Sequence, residues 1–186
     1  MQQDRQIFFT TEQLTASAFV DTDLVIFTAY RQQPCVAQYQ SWDTDYSLDD
    51  AKAMFANMNY QQFGQVDKWF QIALTLNSCG TLIGDLALHF VDEQQLELGI
   101  TLAPEYQQQG FGLEAVTGVV NYVFQQLGKH RITAITDSQN SACAALLTKA
   151  GFRKEAHFVQ NIFFKGAWGD EFQFALLASE INLDNG

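Results

Sequence analysis

Cysteine is scarce in this sequence, and its arrangement argues against two kinds of site. The 186 residues include three cysteines, Cys35, Cys79 and Cys143, with no C-x-x-C spacing. An odd number of cysteines without that spacing argues against a disulfide scaffold and against a structural zinc site. We therefore expect a reducing compartment and no metal ion.

Basic residues are also scarce. The chain has 10 Lys and Arg against 21 Asp and Glu, which gives a formal net charge of -11. A nucleic-acid partner is disfavoured, because binding phosphate needs a basic face. The acidic excess is larger in the first half and suits a cationic acceptor such as an amine, although solubility alone explains it equally well.

Long apolar runs are absent. No run approaches the roughly 20 residues that span a bilayer, and the N-terminus lacks the charged-then-apolar pattern of a secretory leader. We expect a cytoplasmic protein that does not bind a membrane. With 47% hydrophobic residues and 16 Phe, the chain can bury a sizeable core, so residues 1–186 are predicted to form a single domain.

The most informative stretch is a strand, a glycine loop and a helix within residues 96–152. Residues 96–102 are apolar enough for a buried strand, and Pro104 ends it. Gly110 and Gly112 allow a turn and a close approach to the backbone. Apolar residues at helical spacing then predict a helix from near Leu113, which Gly128 ends.

The start of that helix is a candidate anion site. The first N–H groups of a helix lack partners and favour phosphate. The loop contributes glutamines at residues 107–109 and no Lys or Arg, so the backbone would supply most of the attraction. A plain strand-to-helix turn explains the glycines equally well, and neither G-x-x-x-x-G-K-[ST] nor the full G-x-G-x-x-G is present.

The order of the other elements predicts an α+β sandwich with a central mixed sheet. A first strand is predicted at residues 7–9 or 14–19, with the register open. Ser47 and Asp50 form a loose capping box for a helix, and hairpin strands follow at residues 69–76 and 81–91. Further strands are predicted at 131–136, 158–164 and 172–177, the last two flanking a long hairpin loop at 165–169.

Several motifs together resemble one protein family. Gln107-x-x-Gly110-x-Gly112 is similar to the acyl-CoA motif Q/R-x-x-G-x-G/A of the GNAT N-acetyltransferase superfamily. Two further segments resemble the N-x-A-S and E-K-x-G-F of its RimJ/RimL branch, namely Asn140-Ser141-Ala142-Cys143 and Lys149-Ala150-Gly151-Phe152. Thr11-Glu12-Gln13-Leu14, Pro34-x-Val36, Trp42 and Ser47-Leu48-Asp49-Asp50-Ala51 extend the resemblance over nearly the whole chain.

The resemblance implies a GNAT fold, with a central, mixed, mostly antiparallel sheet of about seven strands flanked by helices on both faces. The strands ending at Leu102 and Thr136 would splay apart to hold pantetheine. It also implies transfer of an acetyl group from acetyl-CoA to a primary amine, most often a protein N-terminal α-amine as in ribosomal proteins. A small-molecule amine, such as a polyamine or aminoglycoside, and a non-catalytic acyl-CoA-binding module remain alternatives, as do a monomer and a homodimer.

The resemblance also implies a set of site residues. Glu97 is the candidate base and Cys143, where the branch usually has Ser, the candidate acid, although a solvent-facing Glu and a space-filling Cys are the plain alternatives. The residues expected to bind acetyl-CoA are Ile100, Thr101, Leu102, Gln107, Gln108, Gln109, Gly110, Phe111, Gly112 and Asn140.

The acceptor amine is expected to meet Tyr39, Trp42 and His89, with Asp43 and Asp45 nearby. Aromatic walls and carboxylates suit a cation. Trp42 as a core residue and His89 as a structural histidine are the alternatives. His89 shares a face of its strand with Asp85, since side chains alternate along a strand.

Overall fold

The computed structural model describes residues 5–181, which form an eight-stranded sheet flanked by helices on both faces. The strand order is β1-β2-β3-β4-β5-β6-β8-β7, and among the strands of this described part only β5 and β6 pair in parallel. The strands are β1 (Ile7–Thr10), β2 (Leu14–Ser17), β3 (Lys68–Leu76), β4 (Leu82–Phe90), β5 (Gln95–Leu102), β6 (Arg131–Asp137), β7 (Arg153–Phe164) and β8 (Ala167–Leu177).

The helices are α1 (Leu24–Arg31), α2 (Pro34–Ala37), α3 (Leu48–Ala56), α4 (Phe111–Gln125) and α5 (Ser141–Lys149). Short 3-10 turns lie at Asp21–Asp23, Tyr60–Gln62, Pro104–Tyr106 and Ala178–Glu180. The predicted α+β class and mixed, mostly antiparallel sheet are confirmed, with eight strands where about seven were expected. Within residues 5–181, none of the helices is both long enough and apolar enough to cross a membrane.

The two competing first strands are both present, as the hairpin β1–β2. The turn between them is fixed by Thr11, whose N–H donates to the Leu14 carbonyl oxygen at 2.8 Å. The Glu114 carboxylate of α4 accepts the Thr11 hydroxyl at 2.6 Å and the Gln13 backbone N–H at 2.7 Å. These contacts lie a hundred residues away in sequence, which is why local pattern alone left the register open.

The predicted long loop at residues 165–169 is wrong. Lys165 and Gly166 form a two-residue turn in which both φ angles are positive, 47° and 85°. Such turns match the right-handed twist of the flanking strands. Trp168 pairs with Phe163 and Gly169 with Ile162, so the hairpin strands run on to the turn itself.

Two cores lie on opposite faces of the sheet. The main core packs α4 and α5 against one face, and each fully buried aliphatic side chain there contributes roughly 1.5–3 kcal/mol; its members include Leu86, Leu88, Leu96, Leu98, Val116, Val119, Val123, Ile132 and Leu147. A smaller core packs α1 and α3 against the other face over β3 and β4, around Phe27, Tyr30, Ala51 and Ala73. The rest of that second face carries the candidate site.

Candidate active site

The parallel strands β5 and β6 separate after a short paired segment. Gln95, Leu96 and Glu97 of β5 pair with Arg131, Ile132 and Thr133 of β6. Beyond Glu97, residues 98–102 pair with β4 only, while β6 continues along β8. A gap therefore opens beside a length of β5 whose backbone edge is unpaired on that side, as the family resemblance implies.

The loop that follows β5 is braced by its own glutamines. The Gln107 side-chain amide donates to the Leu102 carbonyl oxygen at 3.0 Å, and that of Gln109 donates to the Glu105 carbonyl oxygen at 2.5 Å. Gln108 and Gly110 have positive φ angles, 59° and 93°. Backbone N–H groups in such successive turns form an anion-binding concavity. Two of the three amides thus brace the loop, and contact of these glutamines with acetyl-CoA stays a prediction.

Glycine occupies the two loop positions for different structural reasons. Gly110 precedes α4 in a left-handed conformation, and nothing lies within 4 Å of where a Cβ would stand. Gly112 lies inside the first turn of α4, where a Cβ would come 3.4 Å from the Leu146 side chain and 3.5 Å from that of Leu102. Gly110 leaves the loop open to solvent, and Gly112 lets α4 pack closely on β5 and α5.

Asn140 and Cys143 lie at the start of α5. The Asn140 side-chain oxygen accepts the Cys143 backbone N–H at 3.1 Å, which confirms the predicted N-cap. Burial raises the pKa of the Cys143 thiol, and a hydrogen bond with Thr136 offsets only part of that rise. At neutral pH this residue is therefore a protonated thiol, a weak proton donor rather than a nucleophile.

Glu97 lies on β5 at the last residue before the gap and projects from the face opposite α4 and α5. Burial raises the pKa of its carboxyl group, the nearby His89 offsets part of the rise, and the like charge of Glu171 adds to it. A half-buried carboxyl group with a raised pKa at the edge of a gap is suited to taking up a proton.

His89 lies on β4 directly opposite Glu97. Its Nδ1 is 3.8 Å from Glu97 Oε2, and its Nε2 is 3.6 Å from Asp67 Oδ1. The Trp69 ring stacks on the imidazole, with centroids 4.7 Å apart and planes 8° apart. The imidazole is therefore flanked by two carboxylates and held in one plane by an indole.

This part of the sheet face is open to solvent. Three large apolar side chains on it are substantially exposed: Trp69 of β3 by 49%, Ile135 of β6 by 43% and Phe158 of β7 by 38%. Asp137 and Glu171 are paired neighbours on the same face. The face thus combines an apolar platform with several carboxyl groups.

Beside Glu97, two neighbouring positions on the same face of the sheet carry small residues. Gly99 of β5 pairs with Ala87 of β4, and a Cβ on Gly99 would come 3.4 Å from the Ala87 Cβ. These small residues leave room above the strands next to the Glu97 carboxylate.

Tyr39 and Trp42 lie in the segment after α2. The Tyr39 hydroxyl donates to the Gln139 carbonyl oxygen at 3.3 Å, beside the start of α5. The Trp42 ring stacks on the Arg31 guanidinium at 3.6 Å and its indole N–H donates to the Arg31 carbonyl oxygen. Tyr39 is therefore close to the gap, whereas one face of Trp42 is occupied by Arg31; their contact with an acceptor stays a prediction.

The tip of the β7–β8 hairpin is tied to this segment by Lys165. Its ammonium group donates to the carbonyl oxygens of Ala37, at 2.8 Å, and Trp42, at 2.7 Å, and pairs with Asp43 at 2.9 Å. Asp43, expected near the acceptor, is thus neutralised by Lys165. The contact closes one side of the open face.

A buried polar cluster lies on the same face of β4. The Asp85 carboxylate accepts hydrogen bonds from the Tyr30 hydroxyl, the Arg31 guanidinium and the Gln71 amide. Burial raises the pKa of the Tyr30 hydroxyl well above its usual value, and the Asp85 charge raises it further. The three partner side chains all donate to Asp85, although Arg31 Nε has no hydrogen-bond partner within residues 5–181, and the cluster joins α1 to β3 and β4.

Sequence reasoning missed Asp67, Trp69 and Lys165. Strand alternation does provide a signal for Trp69, because pairing β3 with β4 puts it opposite His89. Asp67 and Lys165 lie in a turn and at a hairpin tip, and no local pattern reports their partners. Among residues 5–181, no group of three His, Cys, Asp or Glu side chains is arranged to hold a metal ion.

Comparison with known proteins gives one consistent group of relatives. Residues 13–153 match the family model described as an acetyltransferase (GNAT) domain. The uncharacterized N-acetyltransferase YnaD of Bacillus subtilis (strain 168) is 29% identical over 174 residues, which cover 93% of this chain and 98% of YnaD. The spermidine N(1)-acetyltransferase of Vibrio cholerae is 30% identical over 84 residues, 45% of this chain and 49% of that protein.

Solved structures share the fold. A GNAT-family acetyltransferase from Bacillus anthracis superposes with a TM-score of 0.82 at 24% identity, covering 92% of this chain and 98% of that one. The spermidine N-acetyltransferase of Vibrio cholerae in complex with CoA and spermine gives 0.77 at 23% identity, with 91% and 98% covered. The ribosomal L7/L12 α-N-protein acetyltransferase RimL in complex with CoA gives 0.80 at 16% identity, with 92% and 98% covered.

Proposed function

The chain belongs to the GNAT acetyltransferase family as an acyltransferase that uses acetyl-CoA, and on this premise we propose that its acceptor is the α-amine of a protein N-terminus. The observation that carries the proposal is the position of Glu97. Its half-buried carboxyl group lies beside the β5–β6 gap, on a sheet face open enough to receive a polypeptide end.

The chain's own residues fit the donor. The open backbone around Gly110 and the first N–H groups of α4 suit the CoA phosphates, and the edge of β5 at Ile100, Thr101 and Leu102 suits the pantetheine amides. Phe111 and Gly112 begin α4, and Asn140 lies across the gap. Since few cations are near, the backbone supplies the anion contacts.

The proposed chemistry needs a base and an acid. Glu97 accepts a proton from the acceptor ammonium, and the free amine then attacks the thioester carbonyl. A C–N bond forms and the C–S bond breaks, while the protonated Cys143 thiol donates to the leaving sulfur. The second proton that the nitrogen loses as the amide forms restores the Cys143 thiol. Backbone N–H groups along β5 stabilise the oxyanion.

An α-amine is the easier acceptor for a single carboxylate. Its pKa is about 8, against about 10.4 for a lysine side chain, so removing its proton adds less to the activation free energy. The exposed Trp69, Ile135 and Phe158 offer apolar surface to the residues that follow the amine. His89 lies directly opposite Glu97, and Tyr39 lies at the other end of the gap, beside Gln139.

A polyamine is the second candidate. Glu97, Asp137 and Glu171 share the face and suit a molecule with several ammonium groups. The similarity to the spermidine N(1)-acetyltransferase of Vibrio cholerae supports the same class. A polyamine leaves the exposed apolar platform without a role, which is why the protein terminus is preferred.

An acceptor screen tests the choice. The purified protein is mixed with acetyl-CoA and with peptides bearing a free N-terminus, the same peptides with a blocked N-terminus and an internal lysine, or spermidine. Release of free thiol and product mass are recorded. We expect acetylation of free N-termini only. Turnover of spermidine alone would overturn the peptide acceptor and favour the second candidate.

We also propose a reducing compartment, and the thiols support it. Cys35 and Cys79 are exposed and unpaired within residues 5–181, and Cys143 is unpaired as well. Unpaired exposed thiols favour a reducing compartment such as the cytoplasm.

A further inference from the structure

We propose that His89 and Asp67 form a proton relay that carries the acceptor proton from Glu97 to solvent. The inference rests on the proposed function, because it deepens the role of Glu97 as base. It holds for any amine acceptor, so it can be tested separately from the identity of the acceptor.

The geometry forms a line of three groups across three adjacent segments. Glu97 Oε2 on β5 lies 3.8 Å from His89 Nδ1 on β4, and His89 Nε2 lies 3.6 Å from Asp67 Oδ1 just before β3. Side-chain exposure is 29% at Glu97, 19% at His89 and 92% at Asp67, so the line ends at the most exposed of the three groups. The line therefore leads from the half-buried base to open solvent.

His89 Nδ1 is a buried nitrogen that makes no hydrogen bond within residues 5–181. Buried polar atoms without partners are rare and need an explanation. A small rotation of the Glu97 side chain, or one water, closes the remaining distance to Nδ1. The orphaned nitrogen is therefore aimed at the group whose proton it would receive.

The stoichiometry of the reaction requires an exit for one proton. An ammonium acceptor and acetyl-CoA give the amide, CoA with a free thiol and one proton. The nitrogen loses two protons, the leaving sulfur regains one, and the other must leave Glu97 before the next turnover. Imidazole suits this transfer because it takes a proton at one nitrogen while releasing one from the other.

The groups around His89 hold its imidazole ring in position. Trp69 stacks on the imidazole with an 8° interplanar angle, which holds both nitrogens in line with the carboxylates. The Asp67 backbone N–H donates to the Phe90 carbonyl oxygen at 2.6 Å, which anchors the turn next to His89. The charged groups around the relay are Asp67, Glu97 and, acting on Glu97 from β8, Glu171. No metal ligand is involved.

The relay is tested with His89→Gln, measured by thiol release at saturating acetyl-CoA with whichever acceptor the wild type turns over. At low buffer concentration we expect kcat to fall by about 10- to 100-fold, a share of the typical contribution of acid–base groups. The affinity for acetyl-CoA and the unfolding temperature should change little. Added imidazole should restore kcat in proportion to its concentration, because a small base replaces the missing relay.

Two further variants make the test specific. Asp67→Asn, at a position whose side chain is 92% exposed, should lower kcat by about 2- to 10-fold with the same rescue by buffer. His157→Gln is the matched control, since His157 also pairs with a carboxylate, that of Asp170 at 3.1 Å, but on the opposite face of the sheet. It should leave kcat unchanged.

The relay is overturned if His89→Gln keeps wild-type kcat at low buffer concentration across the pH range. A loss that neither imidazole nor other buffer bases restore, in a protein that still binds acetyl-CoA, also overturns it, since His89 would then be structural. Failure of peptide turnover with full turnover of spermidine defeats the proposed acceptor and leaves this test intact.

Discussion

Two polar clusters share one face of β4, four residues apart, and they differ in burial and in how their carboxylates are paired. Asp85 is 1% exposed, and its oxygens accept hydrogen bonds from the three partner side chains around it. His89 and Glu97 are partly exposed, and the His89 Nδ1 has no hydrogen bond in the described part of the chain. Arg31 Nε of the Asp85 cluster also lacks a hydrogen-bond partner in the described part of the chain, but a guanidinium nitrogen can only donate, whereas an imidazole nitrogen can accept a proton.

The physical cause of the difference is what covers each cluster. Helix α1 packs over β4 at Asp85, so the charge is desolvated and must be compensated by Tyr30, Arg31 and Gln71. Near Glu97 the strands β5 and β6 separate, and water reaches the face. There burial raises the pKa of the Glu97 carboxyl group, while His89 remains beside it.

The sharpest way to break the comparison is Asp85→Ala. Removing one side of a buried ion pair leaves Arg31 charged and uncompensated, which should lower the free energy of unfolding by about 3–5 kcal/mol. Denaturant titration followed by circular dichroism measures it. His89→Gln serves as the control and should cost far less. Equal stability of Asp85→Ala and wild type would show that the buried cluster does not support the fold.

A second prediction separates the donor loop from both clusters. Gly110→Val puts a β-branched residue at a φ of 93°, a strain of order 1–3 kcal/mol that should distort the loop. We expect acetyl-CoA binding, measured by calorimetry, to weaken at least about tenfold.

The matched control for the donor loop is Gly166→Val. Gly166 also has a positive φ, 85°, and nothing lies within 4 Å of where its Cβ would stand, but it is in the β7–β8 turn. It should bear a similar strain and bind acetyl-CoA normally. Equal loss of binding in both variants would mean that strain, rather than the loop, governs the effect.

A third prediction concerns the side of the open face that the hairpin closes. Lys165→Met removes the contacts to the Ala37 and Trp42 carbonyl oxygens and to Asp43. We expect the acceptor KM to rise by a few fold and stability to fall by up to about 1 kcal/mol, as for a mostly exposed ion pair. Steady-state kinetics with Lys154→Met as control checks it. An unchanged KM would place the acceptor away from the hairpin.

The smallest predicted effect is the pH dependence of the stability of Glu97→Gln relative to wild type. The pKa of the Glu97 carboxyl group is higher in the folded than in the unfolded protein. The protonated carboxyl group therefore stabilises the wild-type fold, and this contribution is lost as the pH rises through the folded-state pKa. Glu97→Gln stays neutral and avoids this loss. Its unfolding temperature should therefore exceed that of wild type at pH 7, with the difference shrinking towards pH 4. The opposite trend would mean that Glu97 is stabilised as an anion.

Much of the fold could be predicted from local signals. The apolar strand, the glycine loop and the helix that follows appear as β5 and α4, with α4 starting at Phe111 rather than near Leu113. The capping residues Ser47 and Asn140 also lie where the sequence indicated, each accepting a backbone N–H three residues on. Such features depend on residues that are close in the sequence, so they can be predicted from a single sequence.

The remaining features depend on distant partners. The first hairpin is fixed by Glu114 of α4, and the Lys165 contact joins residues more than a hundred positions apart. The Arg31–Asp85 pair joins a helix to a strand that local pattern cannot associate. Asp85 and His89 could be assigned to one face by alternation, but only the helix packing shows which of them is buried.

The central claim is that Glu97 serves the chemistry and Asp85 the fold, and one measurement tests it most directly. Single-turnover acetyl transfer by Glu97→Gln, with acetyl-CoA affinity and unfolding temperature measured on the same sample, isolates the chemical step. The account predicts a rate at least about 100-fold below wild type, as for loss of a general base, with binding and stability retained. A Glu97→Gln protein that transfers acetyl groups at the wild-type rate to every acceptor would contradict it.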